Sequence, residues 1–178
     1  MTCWKTINLN KDYGLHRVTM LSLLLTVFVF IILYLPMNII HHNPQLHDEG
    51  FFIFLLGLLL LAPIHQLLHV IPAVLFLKKV TFVKCKNQKL PRFKIVKPLS
   101  KYISLIVFSF PFVTVTASLI IASLYFPEYF HYFTIACSIH VGMCVTDLLY
   151  LLHTIKAPRA SRIEEVDDGF EIIIEQTT

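Results

Sequence analysis

The chain has 178 residues, of which 56% are hydrophobic and 15% are charged, and its mean hydropathy is +0.71. A soluble globular domain usually carries about 25% charged residues, so this composition excludes that class and indicates a membrane protein. The formal net charge of +4 does not indicate binding to nucleic acid, because the basic residues lie beside apolar stretches with few aromatic residues among them.

Four apolar stretches are each long enough to cross a bilayer, since a spanning helix needs about 20 residues. They cover residues 20–40, 51–77, 102–126 and 130–152. Helices are expected in all four, because the bilayer core has no water to bond exposed backbone groups. The first stretch is too long for a secretory signal and is predicted to be a retained span. The sequence therefore predicts an all-α membrane protein with four transmembrane helices, in a single integral membrane domain over residues 1–178.

Two segments outside the spans, the loop 78–101 and the tail 153–178, contain strand-like pieces. In the loop, residues 80–84 and 93–97 flank Asn87 and Pro91, which predicts a hairpin. In the tail, two β-prone pieces flank the turn Asp167-Asp168-Gly169. Six of the eleven acidic residues lie in the tail and nine of the fifteen basic residues in the loop, so we predict that they pair in a small cytoplasmic β element. Two independently solvated segments are the alternative.

The basic residues predict the orientation in the membrane. Three precede the first span, nine lie in the loop 78–101 and three follow the fourth span, whereas the connections 41–50 and 127–129 have none. The positive-inside rule then places both termini, the loop and the tail in the cytoplasm, with the protein in the cell membrane. Four cysteines are predicted to be free thiols: Cys3, Cys85, Cys137 and Cys144.

Few ionisable residues lie inside the predicted spans, and three of them suggest a metal site. On a helix, the four-residue spacing of His65 and His69 makes both side chains point the same way, as two zinc ligands do. His69 and Asp147 each lie nine residues before the next basic residue of their span, about 13 Å along a helix. An intramembrane carboxylate usually faces a partner. The three residues are therefore predicted to form a metal or proton site with an open position, which is typical of catalytic zinc.

Other polar residues near this site leave alternatives open. One face of the fourth span carries residues at spacings of three, four and three: Cys137, His140, Cys144 and Asp147. His140 is predicted to be a neighbour of the site and Cys144 a reserve ligand. Interhelical hydrogen bonding is the alternative role for the whole set. A weaker metal candidate lies in the outer connection: His41, His42 and His47.

Gln66 directly follows the first histidine of the pair. In zinc-hydrolase helices with this histidine spacing, a glutamate at that position is the general base. A general base contributes about 10² to 10⁴ in rate, and an amide cannot take up the proton. The sequence therefore predicts metal binding without efficient peptide cleavage.

With these residues, the chain resembles a family of small multi-pass bacterial membrane proteins described as "putative zincin peptidases", which are related to site-2 proteases. The motifs that carry the resemblance are His65-Gln66-Leu67-Leu68-His69, Thr146-Asp147-Leu148-Leu149 and the exit Lys156-Ala157-Pro158-Arg159. The resemblance implies zinc held by the two histidines and the aspartate, with the base position occupied by Gln66.

The leading interpretation is a zincin-like membrane protein that keeps a metal-capable site and has lost most or all peptidase activity. Its expected partners are the lipid bilayer and transmembrane proteins. It is expected to bind the transmembrane proteins without cleaving them. One alternative is an active intramembrane zinc protease that uses another base. Others are a metal or proton transporter, although the sequence lacks the inverted repeat of many carriers, and a purely structural membrane protein.

Overall fold

The fold is mostly helical with a small antiparallel sheet, as the sequence predicts. The computed structural model describes residues 2–42, 44–76, 80–83, 92–95, 98–166 and 169–174. A short helix α1 (Leu9–Asp12) precedes three helices that are long and apolar enough to span a membrane. These are α2 (Leu15–Ile40), α3 (Phe51–Leu75) and α4 (Lys101–Tyr125). Large apolar side chains of α2 are exposed, as expected of a helix that faces lipid.

The fourth predicted span is interrupted. A 3₁₀ turn (Pro127–Tyr129) leads into α5 (Phe130–Met143), and α6 (Val145–Lys156) follows after a bend of 47°. The described residues thus contain three candidate spans, or four if the bent pair forms one. The predicted polar face is split by this bend, because His140 lies on α5 and Asp147 on α6.

Gly142 lies beside this bend, where α2 and α5 are in close contact. A Cβ atom at this position would collide with the Thr26 hydroxyl and lie 2.9 Å from the Ser22 carbonyl oxygen, so the glycine allows α2 and α5 to approach closely. Glycine in a helix also costs about 1 kcal/mol relative to alanine. The last turn of α5 is therefore weak where the helix ends.

In the part of the chain that the structure describes, six strands form two sheets. They are β1 (Thr2–Ile7), β2 (Val80–Val83), β3 (Arg92–Ile95), β4 (Leu99–Ser100), β5 (Ser161–Val166) and β6 (Gly169–Ile174). The larger sheet is antiparallel in the order β1-β6-β5-β4, and β2 and β3 form a separate hairpin. Both predicted hairpins are confirmed, as β2–β3 and β5–β6. Their turn residues Asn87, Pro91, Asp167 and Asp168 lie outside the described residues.

The predicted pairing of tail and loop is correct only in part. In the described residues, the loop contributes only the two-residue strand β4 to the larger sheet, where Leu99 pairs with Ile163 of β5. The other edge is β1, which pairs with β6 and which the sequence did not predict. The larger sheet thus joins three distant parts of the chain.

The chain divides into two compact units. The first comprises Met1–Val18, Gln66–Phe110 and Thr146–Thr178, and the second comprises Thr19–His65 and Pro111–Val145. The backbone of α3 and that of α4 each continue from one unit into the other. The prediction of a single integral membrane domain stays a prediction.

The first unit has a core between its sheet and α6. Ile7, Ile163 and Ile172 are at most 2% exposed and belong to one apolar cluster, against which Tyr150 of α6 packs. The Lys101 ammonium donates to the Ile155 carbonyl at 2.8 Å, an arrangement favoured at the negative end of a helix. The sheet therefore supports α6, the helix that carries Asp147.

The second unit has aromatic packing and a polar contact near one end of its helices. Phe130 is fully buried, and its ring centroid lies 5.2 Å from that of Tyr34. His41 Nε2 lies 2.9 Å from the Ser123 carbonyl oxygen. Because a carbonyl only accepts, this nitrogen donates. These contacts join α2, α4 and α5.

Candidate metal centre

His69 is anchored through one ring nitrogen in the first unit. Its Nδ1 lies 2.8 Å from the Val107 carbonyl oxygen of α4, so Nδ1 carries the proton and donates it. Pro111 lies four residues after Val107 and has no N–H, which deprives that carbonyl of its usual helical donor. The His69 ring supplies the missing donor. This bond directs Nε2 away from Val107 and fixes the tautomer.

Asp147 faces the other nitrogen of the same ring. It lies in the first turn of α6, and its Oδ2 is 3.5 Å from His69 Nε2. The side chain of Asp147 is 14% exposed and that of His69 is 23% exposed. Both groups occupy the first unit, where the sequence placed them at equal depth.

The chemistry of this pair fits a divalent metal. Tetrahedral zinc, with bonds of about 2.0 to 2.2 Å to nitrogen and oxygen, holds the two ligand atoms about 3.4 Å apart. The observed 3.5 Å is close to that value. Histidine ligands commonly donate their other N–H to a backbone carbonyl, as His69 does to Val107. Metal binding itself stays a prediction.

His65 lies one turn before His69 on α3 and belongs to the second unit. Its Nδ1 is 3.1 Å from His140 Nε2 and 3.8 Å from Cys144 Sγ. All three side chains are buried. The structure therefore places two of the predicted ligands, His69 and Asp147, in contact. It places His65 against the predicted neighbour and the predicted reserve ligand.

Gln66 lies on α3 between the two histidines, and its side chain is exposed. Its amide has donors and an acceptor, but it cannot bind or release a proton near neutral pH. The position of the expected base thus offers hydrogen bonding without acid–base chemistry.

Two of the three histidines between α2 and α3 have local side-chain contacts. His41 donates to the Ser123 carbonyl, and His47 Nδ1 lies 3.2 Å from Glu128 Oε2. The latter pair is about half exposed, and such ion pairs contribute little stability. Their metal binding stays a prediction.

Two groups that contact these histidines were not predicted from the sequence. One is the Val107 carbonyl, and the other is the Thr116 hydroxyl, which lies 3.4 Å from His140 Nδ1. The carbonyl had a readable signal, because a proline inside a span frees the carbonyl four residues earlier. The signal was Pro111. Thr116 had none, since threonine is common in membrane helices.

We expect Pro111→Ala to weaken zinc binding about 10- to 100-fold, the usual cost of losing such an outer hydrogen bond. Alanine restores an N–H that competes with His69 for the Val107 carbonyl. Zinc affinity is measured by chelator competition in protein that also carries Cys144→Ala, so that the thiol beside His65 cannot hold the cation.

The matched control is Pro36→Ala, which changes another proline inside a helix, in α2. In the described residues, none of the predicted metal ligands lies on α2. Equal zinc affinity in the two variants would show that the bond from His69 to Val107 does not support metal binding.

The helices and the histidine–carboxylate pair define a class: a multi-helix membrane protein with a candidate site for a divalent metal. A family described as "putative zincin peptidase" matches residues 58–162, more than half of the chain. The chain therefore belongs to this family, and the match includes both histidines of α3 and Asp147. No curated protein and no solved structure matches the chain.

Proposed function

We propose that this protein is a zincin-like membrane protein that holds zinc with His65, His69 and Asp147 and has lost most of its peptidase activity. The observation that carries the proposal is the contact of His69 with Asp147, together with the anchoring of the His69 ring by Val107. Membership of the zincin family agrees with it. When bound, zinc supplies a Lewis acid that polarises a substrate carbonyl.

Helix geometry supports His65 as the third ligand. Residues four apart on a helix differ by about 40° in direction and about 6 Å in height, so both imidazoles leave the same face of α3. The contact of His65 Nδ1 with His140 leaves Nε2 as the nitrogen for zinc. A hydrogen bond from Nδ1 to another group is the usual arrangement of a zinc-binding histidine.

The loss of activity follows from Gln66. Peptide hydrolysis requires a group that removes a proton from water and later delivers one to the amine leaving group. An amide does neither. His140 is a poor substitute, because its two nitrogens already face His65, Cys144 and Thr116.

The charge distribution supports the proposed orientation. All fifteen lysines and arginines lie in the sequence ranges of the first unit, and the ranges of the second unit contain none. The positive-inside rule then places the termini, the loop and the sheet on the cytoplasmic side of the cell membrane. The proposed ligands His69 and Asp147 lie in this same unit.

The proposed partners are the lipid bilayer, which the exposed apolar side chains of the long helices favour, and transmembrane proteins, in line with the peptidase description of the family. As a test, the purified protein is incubated with zinc and a single-span reporter whose leucine–alanine helix has about 20 residues. We expect the reporter to be captured and to remain intact.

The same assay includes His65→Ala and, as a control, His47→Ala in the outer connection. Zinc-dependent cleavage that disappears in His65→Ala and persists in His47→Ala would contradict the proposed loss of activity. It would indicate an active protease.

A further inference from the structure

A second cluster of metal-ligating side chains lies inside the second unit. His65 of α3, His140 of α5 and Cys144 at the end of α5 are 8%, 0% and 0% exposed. His65 Nδ1 and His140 Nε2 are 3.1 Å apart, and Cys144 Sγ lies 3.6 Å from His140 Nε2 and 3.8 Å from His65 Nδ1. Three potential ligand atoms, from α3 and from the C-terminal end of α5, thus surround one point.

These separations match the edges of a metal coordination tetrahedron. With zinc bonds of about 2.0 Å to nitrogen and about 2.3 Å to sulfur, two nitrogens lie about 3.3 Å apart and a nitrogen and a sulfur about 3.6 Å apart. The observed distances of 3.1, 3.6 and 3.8 Å are each close to these values. A single cation can therefore contact all three atoms with small side-chain shifts.

The protonation pattern around His140 favours this use. The Thr116 hydroxyl oxygen lies 3.4 Å from His140 Nδ1 and can accept its proton. That bond leaves the lone pair on Nε2, the ring nitrogen that lies 3.1 Å from His65 Nδ1, while Cys144 Sγ lies 3.6 Å from Nε2 and 3.8 Å from Nδ1 of the same ring. Imidazole and thiolate ligands select zinc over the hard cations magnesium and calcium.

We propose that His65 Nδ1, His140 Nε2 and Cys144 Sγ form a second metal site, which takes Zn²⁺ or a similar thiophilic cation. Binding forms two metal–nitrogen bonds and one metal–sulfur bond, moves the His65 proton from Nδ1 to Nε2, releases the thiol proton to solvent and changes no oxidation state.

This site goes beyond the proposed function, because its ligands all lie in the second unit and do not include His69 or Asp147. A neutral imidazole has one lone pair for a metal. His65 therefore binds one cation at a time. When His65 and Cys144 bind a cation together, His65 cannot also bind a cation with His69 and Asp147.

The test is a titration of the metal-free purified protein with Co²⁺, whose bond to thiolate gives a charge-transfer absorption in the near ultraviolet. We expect this band in the parent and in Asp147→Asn, and its loss in Cys144→Ser. The matched control is Cys137→Ala, a buried cysteine on the same helix, which should keep the band.

His140→Ala provides a second variant that leaves the thiol in place. It should weaken cobalt binding by roughly two orders of magnitude, because it removes one of the three ligands. Absence of the band from the parent, or its persistence in Cys144→Ser, would overturn the second site. Neither result would affect zinc binding by His69 and Asp147, which Asp147→Asn tests separately.

Discussion

In the Gln66→Glu variant, zinc-dependent cleavage of the single-span reporter is expected to rise by about 10² to 10⁴ over the parent. The variant changes an amide to a carboxylate of nearly the same shape, directly after His65. The carboxylate can accept a proton from water and return it to the leaving amine, which Gln66 cannot do. This increase corresponds to about 3 to 5 kcal/mol in the activation free energy.

Two controls limit the interpretation of that increase. Gln45→Glu adds the same charge in the connection after α2 and should leave cleavage at the parent level. The double variant with Gln66→Glu and His65→Ala should be inactive, because it lacks a zinc ligand. If Gln66→Glu folds and binds zinc as the parent does but cleaves no faster, the missing base is not what limits this protein.

The second large effect is expected in Asp147→Asn, which should lower zinc affinity by two to three orders of magnitude. A zinc site worth about 10 to 16 kcal/mol over four ligands loses about 3 to 4 kcal/mol with one of them. Asparagine keeps the volume of the side chain but replaces a charged ligand with a neutral amide. Chelator competition measures the affinity in protein that carries Cys144→Ala, so that the cation cannot move to the second site.

The matched control is Asp48→Asn, the same change in the exposed connection between α2 and α3. In protein that also carries Cys144→Ala, the zinc affinity of Asp48→Asn should equal that of Cys144→Ala alone. An equal affinity in Asp147→Asn would remove this carboxylate from the metal site and leave its contact with His69 as a structural ion pair.

The proximity of His69 and Asp147 could be predicted because membrane proteins restrict helix position. Basic residues at one edge of the spans set the depth of each span, so equal distances of nine residues from that edge place two side chains at one level. The contact distance of 3.5 Å agrees with that reasoning. Three of the four predicted spans and the two hairpins could be predicted because each depends on local patterning.

Three other features that depend on packing between distant segments were not predictable. The bend at Cys144 lies beside the close approach of α2 to Gly142, and apolar patterning of α5 and α6 reveals neither the bend nor the approach. The same bend accompanies the direct contact of His140 with His65, which a straight helix did not suggest. Strand β1 was missed because its pairing partner β6 lies at the opposite end of the sequence.

Metal analysis of the detergent-purified protein tests the central claim most directly. In protein carrying Cys144→Ala, zinc binding by His65, His69 and Asp147 predicts one zinc per chain, and the addition of His69→Ala should abolish it. A Cys144→Ala protein that neither contains zinc nor takes it up, or one that keeps its zinc after His69→Ala, would contradict the account.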